Sequence, residues 1–263
     1  MISSTANKQV KYVSNLLKKA KTRHEENLFV AEGLRMCMEI PPKRIRSLYI
    51  SESFQKNPQC RILTERARHV ETLTDTVFAA LSDTRTPQGV LALAEQSHYA
   101  LEDVMAVGRD GTLPHLLVLE HLQDPGNLGT ILRAGEGAGL TGVLMDSNTA
   151  DIYSPKVVRA TMGSLLRVPF AYVEDLGEAL ALLKKKKIRV YAAHLQGSNA
   201  YDRENYRKAT AFLIGNEANG LSPETAAAAD VRIRIPMLGE VESLNAAVAA
   251  SVLMFEAARQ RRG

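Results

Sequence analysis

Ile235-Pro236-Met237-Leu238-Gly239-Glu240-Val241-Glu242-Ser243-Leu244-Asn245 leads straight into an apolar run from Ala246 to Ala258. Neither Gly nor Pro interrupts that run. Its Ala246, Ala247, Ala249, Ala250, Leu253, Met254, Ala257 and Ala258 suit a helix. Ser243 is a candidate N-cap. A strand over Val231 to Ile235 precedes the Pro-containing loop. Strand, loop and helix in that order place free N–H groups at a helix N-terminus, a common ligand cradle. The plainer alternative is a terminal docking helix behind an ordinary connection.

Two further stretches have the same form. Leu116-Leu117-Val118-Leu119 reads as a buried strand, followed by Asn127-x-Gly129-x-x-x-Arg133-Ala134 on a helix with Leu128, Ile131, Leu132 and Ala138 inward. Thr210 to Gly215 reads as a strand that ends in Leu213-Ile214-Gly215-Asn216-Glu217-x-x-Gly220-Leu221. With the stretch from Ile235 to Asn245, these three blocks resemble, in order and spacing, the three signatures of the SpoU/TrmH family of RNA ribose methyltransferases. The resemblance spans about 140 residues, each block lying at the end of a predicted strand.

The resemblance implies an α/β fold. A SPOUT-type parallel sheet, its C-terminal segment threaded into a trefoil knot, would occupy residues 106–263. It implies S-adenosylmethionine as cofactor, placed on Leu213, Gly215, Ile235, Met237, Leu244 and Asn245. The residue types agree: Gly215 lets a backbone approach closely, and Ile235, Met237 and Leu244 offer apolar surface to adenine. It implies methyl transfer to a ribose 2′-hydroxyl, with Arg133 central and Asn127, Glu217, Ser243 and Asn245 as candidates to orient it. A guanidinium can hold the neighbouring phosphate and stabilise a developing alkoxide, but arginine almost never deprotonates, so its role as a base is doubtful. A surface salt bridge of Arg133 with Glu136 or Glu217 is the competing explanation. A homodimer is implied too, with Ala246, Ala250 and Ala257 allowing close approach of the terminal helix.

The first part of the chain alternates short strands and helices and reads as a smaller α/β domain, residues 1–105. Phe29-x-x-Glu32-Gly33 and Pro87-Gln88-Gly89-Val90 resemble the ribosomal-protein-like, RNA-binding substrate domain found ahead of SpoU-type catalytic domains. Residues 97–113 lack periodicity and read as the linker. Residues 1–25 read as a basic helix with Val10, Val13, Leu16 and Leu17 on one stripe. Lys8, Lys11, Lys18, Lys19 and Arg23, with Arg133, are the candidate RNA contacts. Residues 1–105 hold 15 basic and 12 acidic side chains, against 18 and 17 in the remainder. The smaller domain therefore has the stronger attraction for a polyanion.

Composition bounds the alternatives. The 263 residues suit one large domain or two ordinary ones. Net charge is +4 and the pI about 9.0. Aromatics are only 5%, with no Trp, which disfavours base stacking as the main binding mode. Cys37 and Cys60 have neither metal spacing nor a disulfide framework, pointing to a reduced, cytoplasmic setting. No signal-peptide core and no membrane-length apolar run is present. The six histidines show no ligand spacing, so no metal is expected. Gly135-x-Gly137-x-Gly139 is loosely dinucleotide-like, but it follows a helix instead of a strand. The reading is an S-adenosylmethionine-dependent RNA 2′-O-methyltransferase with ribosomal RNA as substrate. Transfer RNA, or a non-catalytic RNA-binding or assembly role, are the alternatives.

Overall fold

In the computed structural model, which describes residues 1–108 and 111–262, the chain packs as two compact units. One is Met1–Ser97 with Asp151–Leu166, and the other His98–Ala150 with Arg167–Gly263. These differ from the two continuous segments expected from sequence, 1–105 and 106–263. Of the expected linker, residues 109 and 110 lie outside the described residues.

The first unit opens with α1 (Lys8–Lys18) and α2 (Ala20–Glu26). The expected single helix breaks at Lys19, whose backbone is extended (φ −120°, ψ 114°). Arg23 explains the fold-back. Its guanidinium donates to the carbonyls of Leu16 and Leu17 at 2.6 and 3.2 Å, closing the end of α1. Then follow β1 (Leu28–Glu32), α3 (Leu34–Glu39), β2 (Ile45–Ser51), α4 (Cys60–Thr64), β3 (Val70–Leu73), α5 (Asp75–Leu81) and β4 (Val90–Glu95). The sheet order is β1-β4-β2-β3, antiparallel except between β2 and β3. Val10, Val13 and Leu16 of α1 pack on Val30, Leu91 and Leu93.

The two motif points of this unit meet in space. Gln88 Oε1 accepts the N–H of Leu34 at 2.8 Å, and the Gly33 N–H donates to the Val90 carbonyl at 2.9 Å. Glu32 accepts from Thr84 Oγ1 at 2.9 Å and from Ser82. Gly89 has φ +79°, and a Cβ there would stand 2.5 Å from Ser51 Oγ. These residues tie the end of β1 to the loop entering β4.

The second unit begins with α6 (Leu101–Val104), inside the expected linker. Val104 and Met105 are buried in this unit's core with Leu116, Leu144 and Leu180. Leu101, Val104 and Met105 do stand at helical spacing, but one turn is too short a stretch to stand out as a period. Then come β5 (His115–Leu119), α7 (Pro125–Gly137), β6 (Gly142–Asp146) and, in the first unit, α8 (Pro155–Ala160). The second unit resumes with β7 (Phe170–Val173), α9 (Leu176–Lys185), β8 (Arg189–Ala193), β9 (Asn199–Ala200), β10 (Thr210–Ile214), α10 (Pro223–Ala228), β11 (Val231–Arg234) and α11 (Ala246–Arg262). The sheet runs β7-β6-β5-β10-β8-β11-β9, every pair parallel. β5, β6 and β10 are buried at every residue, as their unbroken apolar runs require of strands covered on both faces.

α11 packs on α7 and β10. Gly135 permits this: a Cβ there would stand 2.8 Å from Leu140 Cδ2 and 3.3 Å from Met254 Sδ. The glycines that looked like a dinucleotide motif thus serve helix packing, with Gly139 (φ +74°) ending the turn. Ala247, Ala250 and Ala257 are buried by this contact inside the unit. The last turn is pinned, not frayed. Arg261 donates to the carbonyls of Tyr206, Leu113, Pro114 and Lys208 at 2.7–3.0 Å, and Gln260 Oε1 accepts the N–H of Tyr206 at 2.9 Å.

One titration follows from this core. His115 is 1% exposed, and burial together with the Arg261 charge lowers its pKa to about 4. The unfolded chain, with a histidine pKa near 6.5, binds the extra proton first. The contribution is therefore complete above pH ~6.5 and is lost as pH falls towards 4. It is worth about 2 kcal/mol between pH 7 and pH 5. Urea midpoints of the wild type should fall across that window more than those of His115→Met; parallel curves would refute it.

Candidate functional site

The order of assembly locates the site. From β5 the chain adds β6 and β7 on one side, then lays down β8 and β9 on the other, and afterwards inserts β10 between β5 and β8 and β11 between β8 and β9. The direction reverses between β5 and β10, and in open parallel sheets ligands sit at the carboxyl ends of the strands at such a reversal. Three loops gather there: 120–124 after β5, 215–221 after β10, and 235–245 after β11.

Hydrogen bonds join all three. Asn245 Nδ2 donates to Asn127 Oδ1 at 2.9 Å, and Asn127 Nδ2 donates to Glu217 Oε1 at 3.0 Å. Glu217 also accepts the N–H groups of Asp124 and Gln123 at 3.0 and 3.2 Å. Burial pushes the Glu217 carboxyl up, but the Asn127 amide and the backbone N–H groups outweigh it and hold it below the usual carboxylate range. It is therefore an anion at neutral pH. Asn245, not Ser243, caps α11: its Oδ1 accepts the N–H groups of Ala247 and Val248 at 2.9 and 3.3 Å. Asp124 caps α7 through the N–H of Asn127 at 2.8 Å.

The loop after β10 holds itself. Asn216 and Gly220 exchange backbone hydrogen bonds at 3.0 and 2.9 Å, and Asn216 Oδ1 accepts the N–H groups of Ala218 and Asn219. A Cβ on Gly215 would lie 2.2 Å from the Gly220 carbonyl carbon. The glycine is thus required by the loop's own backbone, not by the approach of a ligand. Leu213 is buried in the core cluster, which leaves only its backbone near this end of the sheet.

The remaining site residues are placed as follows. Arg133 lies on α7, six residues and about 9 Å along the axis from Asn127. It is exposed and bonded to none of the described residues. The salt bridges suggested by sequence are not formed: Glu136 pairs with Arg167, and Glu217 is held as above. Ser243 is exposed and joins none of the described hydrogen bonds. Ile235, Met237 and Leu244 are half-buried, while Leu238 and Val241 are 101% and 63% exposed. The backbone from Pro236 to Leu244 makes no hydrogen bond with the described residues. An apolar ledge beside unpaired main-chain donors and acceptors suits an adenine, which needs both.

Among the RNA candidates, Lys8, Lys11, Lys18 and Lys19 are exposed. Arg23 is not available: it is 4% exposed, and its Nε and Nη2 donate to Asp151 Oδ2 at 2.9 and 2.6 Å. The sequence could not separate it from its lysine neighbours, because Asp151 lies 128 residues away.

Sequence reasoning missed two further groups. Glu120, 7% exposed, accepts from the Ser222 N–H and Oγ at 2.7 Å each and from Thr225 Oγ1 at 2.5 Å, tying β5 to α10. His121 and Asp146 form a pair, Nδ1 to Oδ2 2.6 Å, across two strand ends. Nothing local in the sequence signals either. Among the described residues no group of three His, Cys, Asp or Glu could hold a metal ion, and no helix is long and apolar enough to cross a membrane.

A parallel sheet with a bonded polar cluster at its reversal point places the chain among α/β proteins whose ligands bind at the carboxyl ends of the strands. The comparisons narrow the class. The SpoU rRNA Methylase family model matches residues 114–255, and an MRM3-like substrate binding domain matches residues 7–92. The 23S rRNA (guanosine(2553)-2'-O)-methyltransferase RlmP of Bacillus subtilis is 30% identical over 262 residues, covering 97% of both chains. The SpoU methyltransferase AviRb of Streptomyces viridochromogenes, solved in complex with AdoMet, superposes with a TM-score of 0.88 at 27% identity, covering 98% of this chain and 99% of that one. A further solved structure, an RNA 2'-O ribose methyltransferase, gives 0.84 at 30% identity over 100% of this chain and 99% of its own. The chain belongs to the SpoU rRNA methylase family.

Proposed function

We propose that this protein transfers a methyl group from S-adenosylmethionine to a ribose 2′-hydroxyl of ribosomal RNA. The observation that carries the reading is the bonded chain Asn245–Asn127–Glu217, which links three separate loops at the sheet's reversal point. RlmP is named for guanosine 2′-O-methylation of 23S rRNA, and AviRb was crystallised with the same cofactor. Both are aligned along nearly the whole chain. These relatives favour ribosomal over transfer RNA.

Ile235, Met237 and Leu244 would take the adenine, with main-chain groups of 236–244 reading its edge and the turn at Gly215 closing one side. The bound cofactor supplies an activated methyl on a sulfonium. The protein must align the hydroxyl and stabilise charge as its O–H bond weakens. Arg133 does the second, holding the adjacent phosphate and facing the developing alkoxide. Its guanidinium stays protonated throughout. Asn127, fixed on both sides by Glu217 and Asn245, sets the backbone from which Arg133's helix starts. Lys8, Lys11, Lys18 and Lys19 attract the RNA backbone to the first unit.

Three finer readings go with this one. The chain is a trefoil knot, supported by the place of β10 between β5 and β8 and by the return of the chain from β11 to α7. It is a homodimer whose contact face includes Val248 and Phe255, exposed on the side of α11 turned away from Ala250 and Ala257, which the sequence had offered for the close approach and which are buried inside the unit. It works in the cytoplasm, consistent with Cys37 and Cys60 both being free thiols.

The test is incorporation of labelled methyl from S-adenosylmethionine into total RNA of a strain lacking the gene, separated into ribosomal and transfer fractions. Label in the ribosomal fraction that survives alkali as a dinucleotide is expected. Label confined to transfer RNA, or to alkali-labile nucleotides, would refute the substrate or the ribose position.

A further inference from the structure

A groove of about 560 Å³ opens on the first unit, between the turn at 53–57, the start of α5 and the loop that enters β4. Small-molecule sites span ~300–1,000 Å³, so it has room for one small planar ligand. Its floor is apolar, made by Phe54, Phe78 and Pro87. Phe54 and Phe78 are buried, so the unit's own core sets that floor. The groove is also lined by two opposite charges, Lys56 and Asp75, and by Asn57.

These three polar groups keep free valence. Asp75 accepts the Ser53 N–H at 3.1 Å and the Ser53 hydroxyl at 2.5 Å. Those bonds hold its carboxyl below the usual carboxylate range, so it is an anion at neutral pH. Each of its oxygens retains a lone pair for a further donor. Asn57 Oδ1 accepts the Gln59 N–H at 2.8 Å, which fixes the amide's orientation and leaves Nδ2 to donate elsewhere. Lys56 is exposed and bonded to none of the described residues. Its charge reaches Asp75, yet among the described residues no ion pair joins the two. Two donors and a carboxylate thus stay apart around an apolar floor. The other charges near this end of the unit are accounted for. Glu32 accepts from Ser82 and Thr84, and Asp83 pairs with Arg159 at 2.9 Å. Glu52 is half-buried and does not line the groove. Arg85, two residues before Pro87, is exposed and bonded to none of the described residues.

A phosphate alone would be repelled by Asp75. The lining suits a flat ring with adjacent acceptors on one edge and adjacent donors on another. Guanine has that set, since O6 and N7 accept while N1–H and N2–H₂ donate. A cationic side chain on O6 and N7 is the commonest specific contact to this base. Adenine and cytosine place one amino group beside an acceptor nitrogen, and uracil has a single ring N–H. None of those three offers two adjacent donor atoms to a carboxylate.

We propose that this groove holds one unpaired guanine nucleotide of the substrate RNA. Lys56 and Asn57 donate to O6 and N7, Asp75 accepts from N1–H and N2–H₂, and Arg85 holds the phosphate. Pairing in a duplex occupies the N1–H and N2–H₂ edge, so the groove reads a loop or a bulge. The proposal rests on the methylation reading for the source of the nucleotide, and the groove lies within the stretch that matches a substrate binding domain, residues 7–92.

The test uses the isotope-labelled full chain, nuclear magnetic resonance and the four nucleoside monophosphates. GMP should shift the Asn57 side-chain amide and the Asp75 backbone amide, and should bind about 10-fold or more tightly than AMP, CMP or UMP. Lys56→Gln and Asp75→Asn should each remove that preference. Lys56 has no partner to lose, and an amide at position 75 keeps an oxygen for the Ser53 N–H, so both should fold and melt as the wild type does. Each should also raise KM for ribosomal RNA about 10-fold. No shift at Asn57 or Asp75 with any nucleotide, or equal affinity for all four, overturns the proposal. Variants that keep the wild-type KM in a protein that methylates ribosomal RNA overturn the groove's part in substrate binding alone. GMP held in the groove of a protein that methylates no RNA overturns the methylation reading and leaves the guanine site standing.

Discussion

Arg133→Ala lowers methyl transfer by about 10²–10³-fold, the loss typical of removing one charge-stabilising donor, and leaves cofactor binding and melting temperature unchanged. The three expectations have separate sources. Transfer falls because the guanidinium is the one cation on α7 beside the Asn127 cluster able to face both a phosphate and an alkoxide. Cofactor binding holds because the half-buried Ile235, Met237 and Leu244 belong to another loop. Stability holds because Arg133 is exposed and bonded to none of the described residues, and such surface changes lie within about 0.5 kcal/mol. Arg133→Lys sharpens the test. A lysine keeps the charge but loses the planar fork, so partial recovery assigns the effect to charge and no recovery assigns it to geometry. Calorimetry with S-adenosylmethionine and single-turnover assays measure the two sides. Loss of affinity matching the loss of rate would remove Arg133 from its catalytic role.

Arg23→Ala destabilises the first unit by about 3–5 kcal/mol, as expected when one partner of a buried ion pair is deleted and the other is stranded. Arg23 is 5% exposed in its side chain and Asp151 15%, so solvent does little to replace the lost charge. The same change leaves the Leu16 and Leu17 carbonyls at the end of α1 without their donor. Amide exchange should therefore quicken in α1, α2 and β1, while β5, β6 and β10 stay protected. Arg23→Ala with Asp151→Ala should cost less than the sum of the singles. Additive costs would show that the pair contributes nothing. RNA affinity lost in Arg23→Ala follows from unfolding. Replacing Lys8, Lys11, Lys18 or Lys19 should weaken RNA binding with unchanged melting.

The contrast between Arg23 and Arg133 shows what the sequence could say. Both were read as surface cations. Arg133 is one, because a helix with Leu128, Ile131 and Leu132 inward turns position 133 outward. That is a local, periodic fact. Arg23 became buried through a carboxylate 128 residues away, and no period reaches that far. The strands β5, β6 and β10 were legible because fully buried parallel strands read as near-continuous apolar runs. α6 and α10 were not, being short and mostly polar or alanine. The sequence offered Asn127, Glu217, Ser243 and Asn245 as residues that orient Arg133. Asn127, Glu217 and Asn245 hold one another, and Ser243 and Arg133 stand outside their hydrogen bonds. Gly215 was read as leaving room for a ligand, but the space its missing side chain leaves is filled by the loop's own Gly220.

The segment Asp151–Leu166 leaves the second unit's sequence to complete the first. Inheritance is affected by that detour. A recombination event that joined the first 97 residues of one relative to the remainder of another would yield a unit assembled from two parents. Its Arg23 would come from one and its Asp151 from the other, as would the tilted pair of rings of Phe29 and Tyr153, 4.9 Å apart. Substrate-reading modules of this build cannot be traded at a single joint. They must be exchanged with their sixteen-residue clasp, or the two stretches must drift together, each substitution in one constraining what the other accepts.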